Sequence, residues 1–453
     1  MSPRLLQYSD IENVYDDPER LGRLAGLLQA LDGPDALLAG TGDNTSPGVL
    51  ALVERGEQAL DFFEAIDPDV STFGNHDFDY GPERASELVS ASPQTWVTAN
   101  ARLNGRRFGS DAGTKPWVTV DVDGATIGVT GVTTDRTASI NPAAASLEFT
   151  DPIDAVRGAV SDLRDQDVEY IVVLSHLGQG DEALAHSVDA DVILGGHVPT
   201  PAIETVDGTL VTRPGDGGHG VIEVNLEDRT AVRHRSASAP VASSVERAMH
   251  ERIAATGLDD PVATVSQPIS RDEAALFGGE SRVGNVVADA YRWETGADVA
   301  LQNSGGIRSG APLSGTVTVS DLIGLVPFEE PVTVGEVTGE QLRAVLEECA
   351  NGALGFAEPD WWHGHVSGVE LVYDRDVDDL LSVSVGGAPV HPDETYTLAS
   401  SDYLFHTTDE FPTLRAQHRR EYHDIQYDVL VEYVRTVGLD PTIEGRIEFR
   451  GES

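Results

Sequence analysis

Basic residues are scarce in this chain of 453 residues: Lys and Arg total 30 against 76 Asp and Glu, and Lys115 is the only lysine. The formal net charge of -46 sets the chain against nucleic-acid backbones and anionic membranes, so neither is expected as a partner. Cysteine is nearly absent as well. Cys349 stands alone, which excludes an intrachain disulfide. No apolar run reaches the ~20 residues that cross a bilayer. No charged-then-apolar leader opens the chain; Arg4-Leu5-Leu6-Gln7-Tyr8-Ser9 reads at once as a strand. A cytoplasmic protein, monomer or homodimer, is the expectation.

What is present argues for packed domains. The hydrophobic fraction is 40%, apolar runs recur at regular intervals, and the acidity is dispersed rather than blocked, so disorder does not explain the charge. The dispersed carboxylates resemble those of proteins from salt-accumulating extreme halophiles. The length suits two domains.

The first 240 residues alternate short apolar runs with helical patterns, which is α/β patterning. Residues 35–40, residues 170–175 and Val192-Ile193-Leu194 read as buried strands. Between the first strand and the second, Asp17 suits a helix cap, Pro18 suits the first turn, Leu21, Leu24 and Leu28 share a face, and Gly33-Pro34 ends the helix. Residues 236–243 look like the start of a linker, followed by an amphipathic stretch from Val245 to Ala255 that stops at Gly257. The expected division is 1–240, a helical linker at 241–262, and a second domain at 263–453 with helices near 284–295 and 339–350.

The polar residues fall where chemistry needs them. Asp10 follows the first strand, and Asp43 the second. Asn75 and His76 follow Val70-Ser71-Thr72-Phe73, His176 follows the 170–175 run, and His197 follows Val192–Leu194. An Asp at one strand end is ordinarily a cap or turn residue. Five strand ends each carrying a metal-ligand type is a different matter, because ligand sites of open α/β sheets lie at that edge. Two divalent ions about 3.5–4 Å apart orient a phosphate and activate water. Asp43 suits a bridging carboxylate, imidazoles and an amide oxygen complete the coordination, and His76 with Asp79 suits a proton donor and its orienting partner.

These fragments, Gly74-Asn75-His76-Asp77 above all, resemble the calcineurin-like metallophosphoesterases. Later segments resemble the 5'-nucleotidase family: Asn303-Ser304-Gly305-Gly306-Ile307-Arg308, Glu280-Ser281-Arg282-Val283-Gly284-Asn285, Pro327-Phe328, and Tyr403 with Asp409 six residues on. The resemblance spans nearly the whole chain. It implies an N-terminal αββα sandwich, a helical linker and a C-terminal α+β substrate-binding domain. It implies one metal held by Asp43, Asn75, His176 and His197, a second held by Asp10, and two divalent ions in all (Mn, Mg, Zn or Co). His76 and Asp79 would form the catalytic pair. Asn303 and Arg308 would hold the phosphate side of a small-molecule nucleotide, Phe328 and Tyr403 would sandwich its base, and Asp409 would accept from ribose hydroxyls. The implied activity is hydrolysis of phosphomonoesters, with nucleoside 5'-monophosphates foremost. The alternatives are a cyclic-nucleotide or nucleotide-sugar phosphodiesterase or pyrophosphatase, and a catalytically impaired nucleotide- or metal-binding protein.

The chain departs from the family pattern in several places. The family's Asp-x-His motif is here Asp10-Ile11-Glu12, and its final His-x-His or His-x-Gln is His197-Val198-Pro199, so one metal loses a ligand and exchanges another. Glu12 offers a harder oxygen, which favours Mn or Mg; a water, His219 or Asn13 are the candidates for the remaining gap. Phe277 stands where an arginine is expected, with Arg282 or Arg271 as substitutes. Glu329-Glu330 follow Pro327-Phe328, where Gly-Asn is usual, and Thr407-Thr408-Asp409-Glu410 replace Gly-Gly-Asp-Gly. Trp361-Trp362 and His363-x-His365 are read as hydrophobic packing and surface histidines, with a cleft lining as the lesser alternative.

Overall fold

The computed structural model describes residues 2–350, 361–407 and 409–451. Thr408 lies outside them. The chain divides into two compact units, Met1–Thr256 and Gly257–Ser453. Among the described residues, no helix is long and apolar enough to cross a membrane.

The first unit holds two six-stranded sheets. One runs Thr230–Arg235, Gly220–Asn225, Arg4–Tyr8, Ala36–Thr41, Val70–Thr72, Thr95–Trp96; the other runs Ala202–Val206, Thr209–Arg213, Val192–Gly195, Tyr170–His176, Ala125–Thr133, Trp117–Val122. The strand periodicity of two explains how they stack. In Tyr170–His176, Val172 and Leu174 join Leu5, Leu37, Val70 and Ile222 between the sheets. Ile171 and Val173 point the other way and pack with Val156, Val160 and Leu163 of the Pro152–Arg164 helix. A strand covered on both faces must be apolar at every position, which is why this run reads as continuous.

The Pro18–Leu31 helix is capped by Asp17, whose side chain accepts from the Arg20 N–H, and it buries Leu21, Leu24 and Leu28. The stretch read from sequence as a linker contains the Ser243–Thr256 helix. It lies in the first unit, against Pro18–Leu31 and the Gln58–Ile66 helix. Arg252 ties it down through Asp61 (2.6 Å) and Glu54. Gly26 permits the approach, since a Cβ there would overlap the Pro240 carbonyl oxygen. Gly26→Ala is therefore expected to cost about 1–3 kcal/mol by overpacking, read as a lowered midpoint in urea or thermal unfolding.

The second unit is α+β. A five-stranded sheet runs Gly364–Ser367, Val299–Asn303, Thr395–Ser401, Pro331–Thr338, Arg419–Ile425, and a four-stranded one runs Ala388–Pro389, Asp379–Val385, Val369–Asp374, Ile447–Arg450. Val299, Leu301, Leu342, Trp362, Leu371 and Leu398 share its core. The Arg282–Thr295 helix is capped by Ser281. Just before it, the Glu280 carboxylate accepts from Asn285 Nδ2 (2.8 Å) and from the N–H groups of Glu444, Gly445 and Arg446 (2.7–2.8 Å). Glu280 thereby fastens the last strand's approach to the helix entry.

Candidate metal centre and base cavity

In the first unit, each candidate donor follows or ends a strand that runs parallel to its neighbour: Arg4–Tyr8 beside Ala36–Thr41 beside Val70–Thr72, and Tyr170–His176 beside Val192–Gly195. Parallel strands put their C-terminal ends on one edge of each sheet, and the packing of the two sheets brings residues distant in sequence together there. The turns off these strands are sharp. Asp10, Glu12, Asp43 and His197 hold φ values of 49°, 50°, 51° and 72°. For Glu12 and His197 the left-handed backbone costs strain on the order of 1 kcal/mol or more, which the surrounding hydrogen bonds must hold in place.

Two donor groups result. Asp43, His176 and His197 each bring a ligand atom within 4.8 Å of the others, and so do Asp10, Glu12 and Asp43. Asp43 is common to both. Its Oδ1 accepts the His76 backbone N–H (2.7 Å), and its Oδ2 lies 2.9 Å from His176 Nε2. His176 Nδ1 donates to the Thr41 carbonyl (2.8 Å), which aims Nε2 at the group. Asp10 accepts the His197 N–H (3.1 Å) and the Ser9 hydroxyl. Asn75 Oδ1 is buried and has no hydrogen-bond partner in the protein. Such an orphaned acceptor beside carboxylates and imidazoles is what a divalent cation would use. The residues therefore fit a metal-binding role. His219 lies instead against Arg20 (3.3 Å) and joins neither group, while Asn13 is exposed.

His76 stands apart from the donor groups. Its Nδ1 is 3.0 Å from Asp79 Oδ2. Asp79 is itself held by the Ser46 hydroxyl (2.7 Å) and Asn141 Nδ2 (2.9 Å), and Asn141 also donates to the Asn75 carbonyl (2.8 Å). Burial opposes a proton on His76, but the Asp79 hydrogen bond and the charges of Asp43 and Glu12 raise its pKa to about 9. The imidazole is thus protonated at neutral pH. Asp77, quoted above without a role, is the hub of the loop. It accepts from the N–H groups of Asp43 (2.9 Å), Asn44 (3.1 Å), Thr45 (3.1 Å) and Gly74 (2.8 Å), and from the Thr45 hydroxyl (2.8 Å). Gly74 is required beside it, since a Cβ would collide with Asp43 Oδ1.

The acids of the centre repel one another when no cation is bound. Burial, reinforced by the Asp43 charge, pushes Asp10 up to about 7, though His176 opposes the rise. Burial and the charges of Asp43 and Asp10 push Glu12 up to about 8. Burial also works against the Asp43 carboxylate, but His176 outweighs it and holds Asp43 below the usual range. Burial and the neighbouring His176 charge lower His197, leaving it a neutral imidazole suited to ligation. Burial opposes a proton on His176, but the Asp43 charge and hydrogen bond raise its pKa to about 10, so a cation entering at neutral pH must displace protons from Asp10, Glu12 and His176. Mn²⁺ affinity is accordingly expected to rise with pH through about 7–10, with proton release visible in calorimetry across buffers of different ionisation enthalpy. Glu12→Ala should remove one ion per chain from the metal count by mass spectrometry; an unchanged count would take Glu12 out of the donor set.

The second unit carries a cavity of about 300 Å³ lined by Asn303, Phe328, Glu330, Tyr403 and Glu410, among others. Arg308 stands at the Phe328 wall, its guanidinium 4.7 Å from the ring centroid. Asp409 is exposed and is not among the lining residues; the neighbouring Glu410 is. Glu410 accepts from Asn303 Nδ2 (2.7 Å), His363 Nε2 (2.7 Å) and the Tyr403 hydroxyl (3.0 Å). The reading of His363 and His365 as surface residues is corrected: both are 1% exposed. His363 is buried because its ring stacks between Phe277 and Phe411, with centroids 6.1 and 5.9 Å away, while Phe277 stacks on Trp361 at 3.9 Å. Trp362 is core, as read. Arg271 and Arg282 donate to backbone carbonyls, of Ala311 and Gly324 and of Pro441, Gln267 and Pro268, so neither stands in for the arginine missing at Phe277.

Sequence reading passed over Asp77, Asn141, Glu410 and Gln302. Asp77 and Glu410 sat inside quoted motifs and were within reach. Asn141 had no signal, being one Asn in a loop 62 residues from Asp79 and 66 from Asn75.

Comparison with known proteins agrees with this geometry. Residues 3–201 match the calcineurin-like phosphoesterase family, and residues 261–416 match the 5'-nucleotidase C-terminal domain. The chain is 24% identical over 482 residues to the trifunctional nucleotide phosphoesterase protein YfkN of Bacillus subtilis (strain 168), covering 91% of this chain but 32% of that one. It thus spans about a third of that relative's length. To the 5'-nucleotidase of Homo sapiens it is 22% identical over 479 residues, covering 92% of this chain and 82% of that one. The fold is that of the 5'-nucleotidase precursor from Thermus thermophilus, with a TM-score of 0.70, 22% identity and all of both chains covered. With both family matches falling on the two units that carry the metal centre and the cavity, the chain belongs to the calcineurin-like phosphoesterases that bear a 5'-nucleotidase C-terminal domain.

Proposed function

We propose that this protein hydrolyses phosphomonoesters, taking nucleoside 5'-monophosphates to nucleoside and phosphate. The observation that carries the reading is the pair of donor groups sharing Asp43, with the protonated His76–Asp79 pair next to them. Divalent ions bound by Asp43, Asn75, His176 and His197, and by Asp10, Glu12 and Asp43, would supply phosphate orientation, charge neutralisation and activation of water. The remaining steps belong to side chains. As water attacks phosphorus in line, the P–O5' bond breaks. His76 delivers its proton to the departing ribose oxygen, so that the nucleoside leaves as an alcohol. Asp79 keeps the imidazole oriented and favours its charged form, and Ser46 and Asn141 hold Asp79. The second unit recognises the nucleoside, with Phe328 and Tyr403 offering faces for a base. Because Glu12 contributes a hard oxygen, Mn²⁺ or Mg²⁺ is the expected activator ahead of Zn²⁺.

A second reading, a nucleotide-binding protein with impaired chemistry, draws on Pro199, which offers no side-chain donor where the family has one. The Asp10–Glu12–Asp43 group favours the enzyme, since three carboxylates still converge on that ion's position although Pro199 contributes none. The test is an assay in concentrated KCl with Mn²⁺, Mg²⁺, Co²⁺ or Zn²⁺. It offers nucleoside monophosphates, cyclic nucleotides and a chromogenic phosphoester. Turnover of monophosphates is expected. Faster turnover of cyclic nucleotides would make it a diesterase, and nucleotide binding without turnover under any metal would sink the enzyme reading.

A further inference from the structure

The cavity of the second unit holds acceptors that the protein's own donors do not satisfy, and their orientation is forced. The Glu410 carboxylate is kept ionised: burial opposes this, but its hydrogen bond and charge interaction with His363 outweigh it. An ionised carboxylate only accepts, so Asn303 must turn its Nδ2 toward Glu410 (2.7 Å) and its Oδ1 away. Gln302 Nε2 then donates to Asn303 Oδ1 (2.8 Å) and to the Asn303 carbonyl (3.0 Å). Both partners are acceptors, so the Gln302 amide cannot be reversed. Its Oε1 is the end of the relay. Gln302 is 1% exposed, lines the cavity, and its Oε1 has no partner in the protein. Glu330 lines the same cavity; its Oε2 accepts the Tyr403 backbone N–H (3.0 Å), which leaves the other oxygen and the second lone pair of Oε2 for a ligand. Two lining donors are already engaged, Gln426 Nε2 on the Phe328 carbonyl (3.3 Å) and the Tyr403 hydroxyl on Glu410 (3.0 Å).

A ligand edge that faces Gln302 Oε1 and Glu330 must bring donors, because an acceptor there would leave both sides unpaired. We infer that the cavity selects nucleobases presenting adjacent N–H donors, guanine above adenine, with Glu330 as the specificity-determining carboxylate and Gln302 Oε1 as a further acceptor. The inference rests on the nucleotide reading above. Guanine places N1–H and its 2-amino group side by side, a pair one carboxylate can accept together. Adenine and cytosine put a ring-nitrogen acceptor beside the amino group, which would meet a carboxylate oxygen. Stacking on Phe328 and Tyr403 serves every base and does not discriminate.

The test measures kcat/KM for GMP, AMP and CMP with Mn²⁺, uses ribose 5-phosphate as a base-free substrate, and titrates guanosine and adenosine calorimetrically. GMP should exceed AMP roughly tenfold or more, chiefly through KM, and guanosine should bind more tightly than adenosine. Glu330→Gln should lower the GMP-to-AMP ratio several-fold. Equal constants for GMP and AMP in the wild type, or an unchanged ratio in Glu330→Gln, overturn the inference. Hydrolysis of ribose 5-phosphate without base preference would condemn this inference and leave the phosphatase reading standing. Selective guanosine binding with no phosphoester hydrolysed would do the reverse, and the wild-type titration needs no variant to fold.

Discussion

Asp43→Asn should cost on the order of a thousandfold in kcat and strip metal from both donor groups at once. Among the described residues, Asp43 is the only side chain common to the two groups. One of its oxygens sits 2.9 Å from His176 Nε2 and the other accepts the His76 N–H at 2.7 Å. An amide keeps the shape but supplies one oxygen instead of two and no charge. Loss of one cation with the other retained would show that Asp43 does not bridge. Full activity with full metal would remove it from the centre. Folding is the control: Asp43 is buried among Asp77, His176 and Asp10, so removing one charge from this cluster is not expected to unfold the chain, and circular dichroism checks it.

His76→Ala is expected to lower kcat by about 10²–10⁴-fold, the span of a general acid, while metal content stays at the wild-type level. The imidazole belongs to neither donor group and is bound to Asp79 at 3.0 Å. Metal loss in this variant would make His76 a ligand and dissolve the pair. The charge state adds a second readout. His76 is needed protonated, and its pKa is raised to about 9 by Asp79, Asp43 and Glu12 against the pull of burial. Activity should therefore fall as pH rises through that region, at or below about 9, because cations at Asp43 oppose a proton on His76. The alkaline limb should vanish in His76→Ala. A chromogenic ester whose leaving group needs no proton should lose far less than a nucleotide, which separates proton donation from a structural role.

The metal centre was legible because two one-dimensional signals coincide there. Apolar runs mark parallel strands, and ligand-type residues follow them; parallel register sends Asp10, Asp43 and Asn75 to one edge of the first sheet and His176 and His197 to one edge of the second, and the stacking of the two sheets brings those edges together. Glu12 could be proposed from its place in the first motif, and it does lie with Asp10 and Asp43. The cavity was read less well. Spacing from Tyr403 pointed to Asp409, whereas the loop turns Glu410 inward, because Glu410 alone finds His363, Asn303 and Tyr403 as donors. A histidine following two tryptophans looks like surface or packing in sequence; it is buried because Phe277 and Phe411 close on its two faces.

The sequence by itself determined the main elements, the resemblance to the family and which ligand-type residues end the strands, since strand periodicity and strand-end signals are local rules. Only the tertiary structure decided that Asp77 gathers five donors, that Asn141 reaches Asp79, and that the Ser243–Thr256 helix packs in the first unit. It alone decided which oxygens in the cavity stay unpaired. Hydrogen-bond direction depends on which donor meets which acceptor across tens of residues, and no periodicity in a chain encodes that.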